Sequence, residues 1–513
     1  MAEHKEFEIK FEFKRASLPR LQQMPLIHGL NPQRPSTEVS VYFDTDRHTL
    51  RKKGLTLRVR RIGDRYVQTI KKTGNLAPFE RGEWEAEIEG EEPVLSIANH
   101  TELETLLDEK LGRQLKPLFE TRVRRTTYSL TRNSDAIALT IDRGTIKAES
   151  GTVPLCEIEL ELRRGSREQL FEIARELAHA LPLQLTVKSK ADRGYELIDG
   201  MQNAPVKSTP IDLAIGTTSR EAFKIIGLSC LNQMIANYQP VIQGNPEGVH
   251  QMRVGLRRLR AGMSVFSPLL YDRQAAAIKA ELKWLGGALG PARELDVLVQ
   301  RVVVPVEHGH IGWEGIPSLS RELAAKRDTA LTRAQNAITS ERFRALTLSV
   351  VAWLEIGQWT NPPDDLVRER GNIAIEVFAV EHLSRYLRKV RKRGKTLLQL
   401  DPMRRHRLRI QVKKLRYAVE FFASLFSDKR LLRRREKFLP VLERLQDCLG
   451  DLNDIAVNEA RMTEIGIRHR QSNPKRVFAA GLLTGREDAR LEVVAEAATA
   501  AYERLIKVKP FWK

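Results

Sequence analysis

The chain has 513 residues, of which 42% are hydrophobic and 29% charged, the make-up of a globular protein with two or three domains. No uncharged apolar run approaches the ~18 residues a membrane span needs, and the charged, alternating start MAEHKEFEIKFEFK holds no secretory core. Three cysteines (Cys156, Cys230 and Cys448) lie far apart without a CxxC pair, which argues against a disulfide framework or zinc knuckle and predicts small core residues in a reducing cytosol.

The formal charge of +20 is unevenly spread: residues 1–200 hold 33 Lys+Arg against 32 Asp+Glu, the remainder 52 against 33. Such a C-terminal excess attracts polyanions, whether nucleic acid, anionic lipid or polyphosphate. In chain order, FEIKFEF, TLRVR, EWEAEIE, ALTID and CEIELEL alternate apolar with polar residues and predict strands. Helices are predicted near 101–112 and over 166–180, the latter behind a Ser cap. The aperiodic, two-proline stretch MQNAPVKSTPIDL (201–213) predicts a boundary: domains at 1–203 and 214–513 with a linker at 204–213. Beyond it the spacing is helical, and prolines at 302–317 and 362–363 divide helices rather than domains. His250-Gln-Met-Arg253-x-x-x-Arg257-Arg258-Leu-Arg260 recurs as His406-Arg-Leu-Arg409-x-x-x-Lys413-Lys414-Leu-Arg416 at an offset of 156, and LGPARELD (289–296) loosely echoes LGDLND (449–454). Two copies of a helical unit imply a pseudo-symmetric bundle.

In a strand, residues two apart share a face. Glu6, Glu8 and Lys10 therefore line up in front of Phe7, Ile9 and Phe11, and Glu157, Glu159 and Glu161 in front of Ile158, Leu160 and Leu162. Adjacent carboxylates are the hard oxygen ligands Mg²⁺ or Mn²⁺ prefers. Basic pairs lie between: Arg58 and Arg60, Lys71, Arg122 and Arg124, Lys188 and Lys190, the groups phosphate oxygens need. One such strand is usually a solvated sheet face. Several, some acidic and some basic, are explained either by cross-strand salt bridges on an outer surface or by a barrel that turns these faces into a polar tunnel.

The EFEIK start resembles the ExExK signature of the CYTH, or triphosphate tunnel metalloenzyme, superfamily. The resemblance continues through YFDT (42–45), LRVR (57–60), TIKK (69–72), RGEWE (81–85), TRVRR (121–125), IDRG with Asp142, EIELE (157–161) and KSKADRGY (188–195). It implies an eight-stranded antiparallel tunnel, a divalent metal (Mg²⁺ or Mn²⁺) and a triphosphate substrate. Glu6, Glu8, Glu157 and Glu159 would correspond to the metal ligands. Lys10, Arg58, Arg60, Lys71, Arg122, Arg124 and one of Lys188 and Lys190 would form the phosphate clamp, with Arg58 and Lys71 as its catalytic cations. Glu161, Glu83, Glu85 and Asp142 are further candidates for metal contact.

On a helix, His250, Arg253, Arg257 and Arg260 share one face, as do His406, Arg409, Lys413 and Arg416, and neither stripe contains an acid. RYLRKVRKRGK (385–395) and LLRRREK (431–437) add charge. Self-repulsion makes acid-free stripes costly unless an anion visits. VHQMRVGLRRLR and RELDVL resemble the CHAD domain, an all-helical module associated with polyphosphate; the second copy departs from it, with DLND in place of RELD. By that resemblance both histidines line a basic groove, while the scarcity of aromatics on these faces weakens a single-stranded nucleic acid reading. The expectation is a cytoplasmic inorganic triphosphatase whose helical domain binds polyphosphate, either feeding substrate to the tunnel or localising the protein on polyphosphate granules. The rivals are an adenylyl cyclase, a thiamine or nucleoside triphosphatase, a non-catalytic polyphosphate binder and a nucleic-acid binder.

Overall fold

The computed structural model describes residues 4–72, 79–98, 104, 107, 109–132, 134–309, 315–468, 471 and 473–512. The helix expected over 101–112 lies mostly outside them; its described part is one turn, Glu109–Gly112. Two compact units form: Met1–Ser208 with Leu231–Met252 and Ile338–Gly357, and Thr209–Cys230 with Arg253–Ala337 and Gln358–Lys513. The division after Ser208 falls within the 204–213 segment, whereas the two helical stretches that join the first unit carry no mark of it in their composition.

The first unit is built on nine antiparallel strands: β1 (His4–Glu12), β2 (Ser36–Asp44), β3 (Leu55–Ile62), β4 (Arg65–Lys72), β5 (Glu80–Ile88), β6 (Lys116–Arg132), β7 (Asp135–Ala148), β8 (Gly151–Arg164) and β9 (Gln184–Thr186). Their order is β5-β4-β3-β2-β6-β7-β8-β1-β9, and β5 pairs back onto β1, with His4 opposite Glu83 and Phe7 opposite Glu80. Eight strands thus close into a ring, and β9 extends from β1 as a short ninth. This is the eight-stranded antiparallel tunnel that the family resemblance implies.

Closure follows from strands that are two-sided. Phe7, Ile9 and Phe11 are buried on the outer face of β1, where Phe7 meets Phe171 of the helix Arg167–Ala180 edge-on at 6.2 Å. Ser166 caps that helix by accepting from the Gln169 amide. Around the ring, Leu55, Leu57, Val59, Ile70 and Trp84 form a second outer cluster. With the apolar faces committed outward, the alternate residues have only the interior to occupy.

A capping box of Ser189 and Asp192 starts the helix Lys190–Ile198, which closes one end of the barrel. Its Ala191, Tyr195 and Leu197 pack on Tyr42, Phe119, Val123, Ile146 and Leu155. Gly194 allows the contact, since a Cβ there would lie 2.1 Å from the Phe119 ring.

Asp44, fully buried at the end of β2, ties this plug to the barrel. Its carboxylate accepts from the amides of Thr45, Leu50 and Arg51 at 2.7, 2.8 and 3.0 Å, and from the Tyr195 hydroxyl at 2.8 Å. Burial and the facing Asp44 carboxylate push the Tyr195 phenol up, so it stays a donor.

The chain beyond Ser208 is helical, and its sequence repeat is also a repeat of structure. Helix starts recur 156 residues apart: Ser219 and Ile375, Pro246 and Pro402, Arg273 and Lys429. The caps recur with them, Asn245 with Asp401 and Asp272 with Asp428, each side chain accepting from first-turn amides. Thr218 and Ala374, also 156 apart, pair with each other in an isolated antiparallel bridge. Equivalent residues meet in this way across a local two-fold axis. Among the described residues no helix is long and apolar enough to cross a membrane. Cys230 and Cys448 are buried and Cys156 half-buried, all three free.

Replacing Asp44 by Ala strands three amides and a buried hydroxyl, at an expected cost of about 3 kcal/mol, against about 1 kcal/mol for Tyr195→Phe. Urea unfolding of the two variants measures the difference; equal midpoints would assign Asp44 no special role.

Candidate active site and cationic helices

The barrel encloses a cavity of about 790 Å³. Among the described residues seven cations line it (Lys10, Arg58, Arg60, Lys71, Arg125, Arg163 and Lys190), with seven carboxylates: Glu6, Glu8, Glu38, Glu83, Glu85, Glu159 and Glu161. The predicted Glu6, Glu8, Lys10, Arg58, Arg60, Lys71 and Glu159 are thereby brought together from β1, β3, β4 and β8. Of the two lysines left open, Lys190 reaches the cavity, while Lys188 pairs with Glu196 at 2.6 Å and lines a separate crevice.

Two placements differ from the sequence reading. Arg122 and Arg124 are exposed on the outer face of β6 and do not line the cavity; their neighbour Arg125 does. The inward face of β6 runs Val123, Arg125, Thr127, Ser129, with Val123 against the plug helix. An apolar residue therefore points inward at the plugged end, and the phase inferred from alternation slips by one residue. Glu157 is the second: fully buried below the cavity beside Lys190 and Arg193, it does not line the cavity, whereas Glu161 does. Glu38, Arg125 and Arg163 are cavity residues that sequence reasoning missed. The alternation Glu38-Ser40-Tyr42 carried the signal for the first.

The interior charges form one network. Lys10 lies 2.9 Å from Glu8 and 3.1 Å from Glu159; Lys71 lies 3.1 Å from Glu6 and 3.0 Å from Glu83. Arg125 holds Asp142 with two hydrogen bonds of 2.6 and 2.8 Å and reaches Glu159 at 3.2 Å. Lys190 contacts Asp142, Glu157 and Glu159 at 2.9, 3.2 and 2.9 Å. Arg58 and Arg60 stand farther off, 3.5–3.8 Å from Glu83, Glu85 and Glu38. Asp142 is thus a buried counter-charge that positions Arg125 and Lys190, not a cavity ligand.

Burial pushes the Glu159 carboxyl up, but Lys10, Lys190 and Arg125 together hold it well below the usual carboxylate range. Asp142 is lowered despite burial by Lys190 and Arg125. Glu161 goes the other way: burial, then the facing Glu6, Glu8 and Glu159, push it up to about 8 against the pull of Arg163. Strand pairing sets Glu161 opposite Glu8.

Among the described residues no three carboxylates, imidazoles or thiols come together as a ready metal cage. The donor set nevertheless fits a hard cation. Glu8 Oε1 is buried and, among the described residues, meets only the Lys10 ammonium, at 2.9 Å, and the crowding that raises Glu161 is what a divalent ion relieves.

In the second unit, Arg253, Arg257, Arg409 and Lys413 repel one another, with Arg257 acting on the other three. Arg257 and Lys413 are equivalent in the repeat, 156 apart. Burial, then Arg409 and Arg257, push the Lys413 ammonium down to about 7. The stripes are acid-free in sequence, but neighbouring helices supply acids: Glu294 acts on Arg253, and Asp454 on Arg409 at 4.0 Å. These come from the RELD and DLND segments, so both motifs contribute a counter-charge. Arg253 also donates to the Gly286 carbonyl at 3.0 Å, His406 lies 3.1 Å from Asn453, and Arg416 pairs with Glu420 at 3.3 Å. Arg260 is exposed and His250 half-buried.

Residues 4–195 match the CYTH domain family, and residues 226–463 match the CHAD domain. The chain carries a CYTH domain followed by a CHAD domain. An inorganic triphosphatase of Haemophilus influenzae is 29% identical over 163 residues, 31% of this chain and 45% of that protein, so the match spans less than half of that relative's length. The solved CHAD domain of the plant Ricinus communis is 27% identical, with a TM-score of 0.50 over 58% of this chain and 96% of that one.

In the metal-free protein, the Glu161 carboxyl in the CYTH barrel should titrate near pH 8. Glu6→Gln removes a facing negative charge and should lower that midpoint. Carboxyl-carbon NMR reads both; a midpoint near 4.5 in the parent would show that the acids are not crowded.

Proposed function

We propose that the CYTH domain hydrolyses the terminal phosphoanhydride bond of inorganic triphosphate to give pyrophosphate and phosphate. The observation that carries this reading is the barrel cavity in which, among the described residues, cations and carboxylates are both present in quantity. A simple anion binder has no use for the carboxylates, and a simple metal binder none for the cations. Binding a metal–triphosphate pair exchanges internal ion pairs for external ones, phosphate taking the cations and metal the acids. The relation to the Haemophilus influenzae triphosphatase supports it.

Lys10, Arg58, Arg60, Lys71, Arg125 and Lys190 hold the phosphate chain. Arg58 stays charged because Tyr42, Glu83 and Glu85 outweigh its burial, and it offers a planar fork to non-bridging oxygens. Glu6, Glu8 and Glu161 would hold the cation, Mg²⁺ or Mn²⁺, with Glu159 beside them. A bound divalent ion supplies charge neutralisation and polarisation of the phosphoryl oxygens. Glu38, Glu83, Glu85 and Asp142 keep the guanidinium and ammonium groups oriented before substrate arrives, so less reorganisation remains for the reaction itself. Positioning and electrostatics are the main content of phosphoryl transfer.

Phosphate release from tripolyphosphate, ATP and thiamine triphosphate with Mg²⁺ or Mn²⁺ tests this. Tripolyphosphate is expected to be the best substrate. Glu6→Gln/Glu8→Gln and Arg125→Ala should each lose at least about 100-fold in kcat/KM, roughly 2.7 kcal/mol. Arg124→Ala should stay within about twofold, as a surface change does. Release from none of the three substrates would sink the enzyme reading.

For the CHAD domain we infer polyphosphate binding through Arg253, Arg257, Arg409 and Lys413, supported by their mutual repulsion and by the depressed Lys413. An ammonium with its midpoint near 7 is charged below that pH, so affinity for a polyanion should rise as pH falls from 8 to 6, with proton uptake on binding. Lys413→Arg, charged throughout, should flatten the profile. Calorimetry in two buffers of different ionisation heat measures the uptake; equal heats and a flat parent profile would remove Lys413 from the site.

A further inference from the structure

A second cationic cavity, of about 680 Å³, opens at the plugged end of the CYTH barrel. It does not share the tunnel: none of its lining residues lines the interior cavity. Its wall is the outward side of β6, β7 and β8 together with the chain leaving β1. Strand register sets Arg124 opposite Arg143, and Arg143 opposite Cys156. Arg15 follows β1, and Arg193 enters from the plug helix.

The charges here are committed differently from those in the tunnel. Arg193 is already engaged, 2.6 Å from Glu12 and 3.6 Å from Glu157. Arg15, Arg124 and Arg143 have no carboxylate at ion-pair distance and no side-chain hydrogen bond among the described residues. Two like charges directly opposite on neighbouring strands destabilise a sheet. A concave wall with three uncompensated guanidiniums raises the local potential and concentrates anions. Guanidinium forks converging from separate strands suit a compact, multiply charged oxyanion whose faces can be met from several sides.

We propose that this exterior cavity is a second oxyanion site, binding phosphate or pyrophosphate through Arg15, Arg124 and Arg143 independently of the tunnel. Residues that sequence alternation assigns to the tunnel wall, Arg124 among them, thereby acquire a different ligand on the opposite face of the sheet. The inference does not depend on triphosphate hydrolysis, since it concerns other side chains.

Cys156 on the same wall is a local reporter. In the full-length protein, saturating pyrophosphate should slow alkylation of Cys156 by iodoacetamide about fivefold or more, by mass action on the occupied site. Buried Cys230 and Cys448 serve as internal controls, read by peptide mass spectrometry. The protection should persist in Arg58→Ala/Arg60→Ala and disappear in Arg124→Gln/Arg143→Gln. Equilibrium dialysis of pyrophosphate should show one fewer equivalent bound in the second variant than in the parent. Protection lost with the tunnel variant but kept in Arg124→Gln/Arg143→Gln would place the anion in the tunnel and overturn the proposal. Unchanged stoichiometry in Arg124→Gln/Arg143→Gln would overturn it as well, whatever the reactivity of the thiol.

Discussion

The pairing of β5 back onto β1 is the constraint on which the CYTH domain depends. An open sheet would leave the Glu-rich and Arg-rich faces in water, where each charge could be solvated separately. Once the ring closes, seven cations and seven carboxylates among the described residues share one cavity and must satisfy each other. A buried charge without a partner costs several kcal/mol, so the interior tolerates only near-neutral arrangements. That requirement explains why Asp142 and Glu157, which do not line the cavity, are as deeply buried as any core residue. They balance Lys190 and Arg125 from beneath. It also explains the exception. Glu161 has more acids than bases around it, and burial together with those acids pushes its carboxyl up.

Much of this was legible in the sequence, for a physical reason. Period-two alternation with charge on one side and Phe, Ile or Leu on the other fixes both the strand and which of its faces is apolar, and β1 from Glu6 to Phe11 and the TLRVR run of β3 followed that rule. The rule failed on β6 because its premise fails there. At the plugged end the interior is itself apolar, lined by Phe119, Val123, Ile146 and Leu155 against the plug helix. In TRVRR the adjacent arginines allow either phase, and only the position of the plug decides between them. The exchange of Glu157 for Glu161 has the same origin: along β8 the inward face runs from the plug outward, and alternation does not say where the floor lies.

The helical domain was legible through its repeat more than through its periodicity. Starts, caps and the cationic stripes all keep the offset of 156. The acid-free stripes proved to be a property of single helices only. Glu294 and Asp454 reach the arginines from neighbouring helices, a pairing no helical wheel displays. The joining of Leu231–Met252 and Ile338–Gly357 to the first unit was likewise invisible, since contact between distant segments leaves no trace in local composition.

The bridge between Thr218 and Ala374, and the proximity of Arg257 to its equivalent Lys413, bring the basic residues of the two repeats of the second unit together as equivalents. To the extent that basic residues are paired in this way, a surface is poorly suited to sense the polarity of a linear ligand. For a nucleic acid strand, whose two ends differ chemically, that would discard information. A linear ligand that reads the same from both ends would lose nothing on such a surface.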